Sequence, residues 1–216
     1  MLKRLALLFA ISGLLLSAKA DTVTNLYSSA GTTTNNSVAD GIAHAGATVN
    51  ITGNSQWAAP LVGSSWVSFT TTGDTGNSNF YTVPNGTSVV FQETFSLSGT
   101  ITSAFLDVLA DDTSSVVLNG HQIYGPDLVG PYPTCSISTI GCLTATEGIF
   151  NTAQLLPYLN ANGLNTLDFT VYQEAGSSYG LDYSGAVATR ASTPEPGTLL
   201  LFGLGALGVL FLKLRA

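Results

Sequence analysis

The chain has 216 residues, 45% of them hydrophobic and only 9% charged, enough for one domain with a sizeable core. Five of its six bases (Lys3, Arg4, Lys19, Lys213, Arg215) lie at the two ends, so from Asp21 to Thr193 Arg190 alone faces twelve acids, a net charge of −11 with no lysine. That balance excludes a nucleic-acid binder, which needs cations for phosphates, and it repels anionic membranes or polysaccharides unless divalent cations bridge them. Neutral sugars, calcium ions and cationic partners remain open.

The first twenty residues, "MLKRLALLFAISGLLLSAKA", have a basic start, an apolar stretch from Leu5 to Leu16 and an A-x-A end at Ala18 to Ala20. This pattern predicts a signal peptide (1–20), a short membrane-inserted helix cut after Ala20 by signal peptidase. The positive-inside rule then keeps both basic ends in the cytoplasm and puts residues 21–192 outside it.

The body alternates with period two more than it shows helical periodicity. "SSWVSFTTT" reads as a strand around Trp66. In "VVFQETFSL", Val89, Phe91, Phe95 and Leu97 share one face, and Val90, Gln92, Thr94 and Ser96 the other. "TSAFLDVLAD" and "SSVVLNGHQIYG" follow as strands, with Asn119-Gly120 as a hairpin turn. Cys135 and Cys142, the two cysteines of the chain, are expected to close a small disulfide loop in an oxidising compartment. A metal pair is the other reading, and two sulfurs without a nearby histidine make an incomplete site. "NTAQLLPYLNANG" is the one helical segment, capped by Asn151 or Thr152 and stopped near Gly163. "NTLDFTVYQE" alternates again, Leu167, Phe169 and Val171 opposing Asp168, Thr170 and Tyr172. Short strands, polar turns and no βαβ pattern predict an all-β, antiparallel β-sandwich or jelly roll with one short helix.

The chain ends in "TPEPGTLLLFGLGALGVLFLKLRA". Sixteen uncharged residues, 197–212, would make a helix of about 24 Å, short of the roughly 30 Å bilayer core. Such a membrane helix spans only if the bilayer thins or Lys213 and Arg215 snorkel outward.

Two resemblances add to this reading. Pro194, Glu195 and Pro196, the apolar run, and then Lys213 and Arg215 resemble the PEP-CTERM sorting signal of exported bacterial proteins, here 193–216. The resemblance implies recognition by an exosortase-type membrane protease-transferase, cleavage near the Pro-Glu-Pro, and a Gram-negative host that makes exopolysaccharide. It fixes an address and not a chemistry. Over residues 57–190 the order of a Trp66 strand, the strand ending in Phe95, "AFLDVLADDTSSVVLNGHQIYG", a short helix and "GLNTLDFTV" resembles the galactose-binding-like jelly roll. That implies a small accessory sandwich common in carbohydrate-active and cell-surface proteins, with the "DD…V.LNG" segment as a hairpin and the "G.N.L.F.V" strand central. The proline-rich loop before Cys135 looks like an insertion.

Candidate chemistry is sparse. Asp111 and Asp112, adjacent acids at a turn, either ligate calcium or serve as turn formers. Tyr132, in the proline-rich loop, is a candidate sugar platform, as are Trp57 and other tyrosines, whereas Trp66 fits a core position. Glu93 falls on the Phe91/Phe95 face, where a carboxylate has to be paired, with Arg190 the one permanent cation in the body, or protonated. It is also a candidate general acid. His44 and His121 stand alone. These residues predict an exported, exosortase-processed, non-catalytic binding module for a neutral polysaccharide, with calcium as the candidate ion. It would pass through the inner membrane to the cell surface or matrix. A structural biofilm protein and a glycoside hydrolase are the competing readings.

Overall fold

The computed structural model of the chain describes residues 21–39, 42–126, 135, 139–174 and 176–191, with side chains left aside for 36–39 and 42–45. The signal peptide, Tyr132 and the sorting tail, including Ala20, Pro194, Glu195, Pro196, Lys213 and Arg215, lie outside the described residues. Among those described, no helix is long and apolar enough to cross a membrane.

Two antiparallel sheets stack face to face. The first contains β1 (Thr22–Tyr27), β4 (Val49–Asn50), β5 (Val67–Ser68), β7 (Thr100–Asp111), β10 (Gly148–Phe150) and β12 (Gly180–Arg190). Its order is β10-β7-β12-β5-β4, with β1 also pairing β12. The second contains β2 (Thr34–Ala39), β3 (Ile42–Ala47), β6 (Thr87–Leu97), β8 (Thr113–Leu118), β9 (His121–Tyr124) and β11 (Gly163–Gln173). Its order is β3-β2-β6-β11-β8-β9. The "G.N.L.F.V" segment is thus a central strand, β11, paired along its whole length with β6, from Gly163↔Leu97 to Gln173↔Thr87.

Alternation explains the core. One face of β6 buries Val89, Phe91, Phe95 and Leu97; β11 adds Leu167, Phe169 and Val171. The opposite sheet answers with Leu106, Val108, Leu181, Tyr183 and Val187. Phe169 and Tyr183 stack across the sandwich with ring centroids 4.5 Å apart. A second apolar cluster forms outside the first sheet, where Trp66 and Leu109 pack with Trp57, Ile51 and Leu61. The segment 54–66 is therefore a flap over that sheet.

The chain crosses between sheets at both ends of β7. Gly99 sits at φ 109°, and a Cβ there would lie 2.4 Å from the Arg190 carbonyl oxygen, so the β6–β7 turn requires glycine. At the other end Asp112 carries the chain over to β8, so the hairpin after it is β8–β9, turned by Asn119 and Gly120 with φ 51° and 79°. The Asn119 amide donates to Tyr158 O (2.7 Å) and Asn165 Oδ1 (2.8 Å), and its carbonyl accepts from Thr166 N–H (2.8 Å). Asn119→Ala loses those bonds and strains a left-handed residue. It is expected to cost about 2 kcal/mol in chemical denaturation.

Three expectations are revised. The Trp66 strand shrinks to Val67–Ser68, because its region meets β12 only at Leu181↔Val67. The helical segment is one α-turn, α1 (Thr152–Leu155), followed by a 3-10 turn (Leu156–Tyr158). Asn151 caps it, accepting from Ala153 N–H, and Pro157, which has no N–H to donate, stops the α ladder. Residues 22–50 supply four strands that the alternation did not mark.

Candidate functional site

A cavity of about 290 Å³ opens at the end of the sandwich where β7 crosses to β8. Four separate segments build it. Asp111 and Asp112 form its floor, the flap supplies Asn54, Gln56 and Trp57, the β11–β12 turn supplies Ser178, and the Cys135–Cys142 disulfide closes one side.

Each wall is fixed by hydrogen bonds. Trp57 Nε1–H donates to Asp111 Oδ2 (3.0 Å), and its ring stands against Trp66 at 4.3 Å between centroids. Its far edge covers Gly180, where a Cβ would come within 3.0 Å of the indole. Asn54 donates to Ser178 Oγ (3.0 Å), linking flap to turn. Asp112 Oδ2 accepts from Glu174 N–H (2.8 Å). The cysteine loop is held to β7 by Ala110 N–H to Gly141 O (3.0 Å) and to the flap by Ala58 N–H to Cys142 O (2.8 Å).

The electrostatics of the floor follow from burial. Asp111 is 7% exposed and Asp112 3%. Desolvation pushes the Asp111 carboxyl up to about 9; the Asp112 charge and their mutual hydrogen bond push the same way, and the Trp57 N–H opposes them. The adjacent pair therefore resists carrying two charges at once. The floor presents carboxyl oxygens and neutral polar side chains beside an indole, a donor–acceptor set suited to sugar hydroxyls. The amide oxygens of Asn54 and Gln56 and the Ser178 hydroxyl add hard oxygen donors, so the set also fits calcium.

Glu93 is paired, as expected of a carboxylate on the core face, but not with the expected cation. Arg190 is not its partner: the Arg190 Nε–H donates to Asp21 Oδ1 at 2.9 Å on the surface. Glu93 instead accepts from the Tyr183 hydroxyl inside the sandwich, and Thr33 Oγ1 lies 2.5 Å from the same hydroxyl. Burial lifts Glu93 up to about 7, partly opposed by the Tyr183 hydrogen bond. It does not line the cavity. His121 stacks on Tyr158 at 5.0 Å, and Tyr179 and Tyr183 are core residues rather than platforms. Asn54, Gln56 and Ser178 gave no signal in the sequence, since each is an ordinary loop residue until folding brings it to the floor.

Several solved structures share a broad likeness to the chain. A family 35 carbohydrate binding module from Clostridium thermocellum is 13% identical with a TM-score of 0.35, covering 76% of this chain and 97% of that one. A CBM35 from Paenibacillus barcinonensis is 14% identical with a TM-score of 0.30, covering 78% and 99%. No curated protein sequence matches the chain. The C-terminal residues 192–216 match the PEP-CTERM protein-sorting motif, so the chain carries the C-terminal sorting signal of secreted or cell-surface proteins.

Proposed function

We propose that this is an exported, non-catalytic module that binds a neutral polysaccharide in the cavity between Trp57 and Asp111. In this reading signal peptidase cuts after Ala20 and an exosortase-type enzyme processes the tail near Pro194-Glu195-Pro196. The released body acts at the cell surface or in the matrix. The observation that carries the reading is the cavity's composition: one indole edge, two buried carboxyl groups and four neutral polar side chains, Asn54, Gln56, Ser177 and Ser178. With one base in the whole body, an anionic sugar has little to attract it, whereas neutral hydroxyls meet both donors and acceptors.

The hydrolase reading draws little support from the site. Asp111 and Asp112 are sequence neighbours that share a hydrogen bond, whereas a glycosidase pair needs carboxyls about 5–10 Å apart with the scissile bond between them. A purely structural matrix role would leave the cavity unused.

A glycan array with and without calcium tests the reading. Binding to neutral glycans is expected to weaken at least ten-fold in Trp57→Ala, which removes the indole wall, about 1.4 kcal/mol or more. Uniformly blank arrays in both conditions would favour the structural role. Mass spectrometry of the mature protein, from hosts with and without the processing enzyme, tests the cleavage near Pro194.

A further inference from the structure

The disulfide at the cavity wall has a neighbour that the sequence did not pair with it. One oxygen of Asp111 and the two sulfurs of Cys135 and Cys142 all lie within 4.8 Å of one another. From sequence the cysteines lacked a third ligand; the fold supplies one by bringing the end of β7 against the cysteine loop. We propose that the dithiol form of the protein binds a thiophilic divalent cation such as Zn²⁺ through Cys135, Cys142 and Asp111. This does not depend on the polysaccharide reading.

Three features favour the site. The ligand set, two thiolates and a carboxylate, suits a borderline-soft cation, with Zn–S near 2.3 Å and Zn–O near 2.0–2.2 Å. Ligand atoms around such an ion lie about 3–4 Å apart, so opening the S–S bond and turning one cysteine side chain brings all three into range. The Cys142 N–H donates to Cys135 Sγ at 3.1 Å, a contact that stabilises negative charge on that sulfur once it is a thiolate. Asp111 is held in place from the other side by Trp57 Nε1–H. The cavity leaves the fourth position to water, the arrangement of an open rather than a closed zinc site.

The two states exclude each other. A small-molecule thiol reduces the disulfide by exchange: the S–S bond breaks, both cysteine sulfurs gain a proton and an electron, and two thiol molecules become one disulfide. Metal binding then displaces the protons carried by its ligands. Reoxidation of the pair expels the ion. The newly made chain, before oxidation, is already in the dithiol form. The oxidised cavity offers only hard oxygen donors, so sulfur chemistry decides which class of cation the site takes.

The test uses the full chain in detergent, reduced with a phosphine under anaerobic conditions and titrated with Co²⁺. The expected result is a thiolate-to-cobalt charge-transfer band and tetrahedral d–d absorption at one equivalent, bleached by Zn²⁺ and absent from the oxidised chain. Cys142→Ser and Asp111→Asn are each expected to weaken Co²⁺ binding at least ten-fold with the far-ultraviolet circular dichroism unchanged. Should Asp111→Asn fail to fold, Asp111→His keeps a ligand and is expected to retain the bands with a shifted d–d pattern. A reduced, folded chain without bands overturns the proposal. So does an Asp111→Asn variant with undiminished affinity, or an Asp111→His spectrum identical to the parent's.

Discussion

Replacing Asp182 with alanine is expected to destabilise the sandwich by about 3–5 kcal/mol and to free the flap. Asp182 is fully buried on β12 beneath residues 58–66. Its Oδ1 accepts from Ser28 Oγ (2.8 Å) and Ser64 Oγ (2.5 Å), and its Oδ2 from the Leu61 N–H (2.8 Å). Burial raises this carboxyl while those donors oppose the rise. The acid therefore ties β1's end and the flap to the sheet; removing it strands the Leu61 N–H, at about 1–3 kcal/mol, and breaks the two serine bonds that join these segments through one carboxylate. Two measurements check it. Urea denaturation should show the lower midpoint, and limited proteolysis should cut within 58–66 well before global unfolding. An Asp182→Ala protein with an unchanged midpoint and a protected flap would show that the network contributes nothing. Because Trp57 belongs to the same flap, glycan binding should fall with it.

The second large effect has the opposite sign. Glu93→Gln is expected to stabilise the protein by about 2–3 kcal/mol above pH 7, and to change little below about pH 4.5. The folded chain raises Glu93 from 4.5 to about 7, so it holds the Glu93 proton more tightly than the unfolded chain does. Stability is therefore undiminished at low pH, falls as the pH climbs through that window, and levels off above it. Each unit is worth about 1.4 kcal/mol, and the partial exposure of the group trims the total. Glutamine keeps a carbonyl for the Tyr183 hydroxyl and carries no charge to desolvate. Thermal melts from pH 4 to 9 decide the matter: the gap between variant and parent should open with pH, reaching roughly 4–10 °C. Two parallel curves would refute the buried-charge account.

What the sequence could reveal followed from how local each signal is. β6 and β11 were legible because each has one face in the core for eleven residues, which imposes strict alternation. The strands of residues 22–50 were not, since Thr, Asn, Ser and Ala along them carry little contrast between faces. Glu93's awkward position could be read from its own strand. Its partner could not, because Tyr183 lies ninety residues away on a different sheet. The cavity was least visible. Asp111 and Asp112 stood out as neighbours, but the features that give them meaning arrive from residues 54–57, 142–143 and 176–178, and no spacing rule links those segments. Trp57 and Trp66 were told apart by strand position, Trp66 as a core residue and Trp57 as a candidate platform, but that the two rings meet at the cavity wall came only from packing.

The direction of β12 also has a geographic consequence. Its first residue, Gly180, sits under Trp57 at the cavity, and its last, Arg190, pairs with Asp21. Ten strand steps of about 3.3 Å separate those two residues by roughly 33 Å. Asp21 and Arg190, near the two ends of the described body, consequently share one pole, while the cavity occupies the other. Under the export reading proposed above, a body held by those two ends would present the cavity away from its point of attachment.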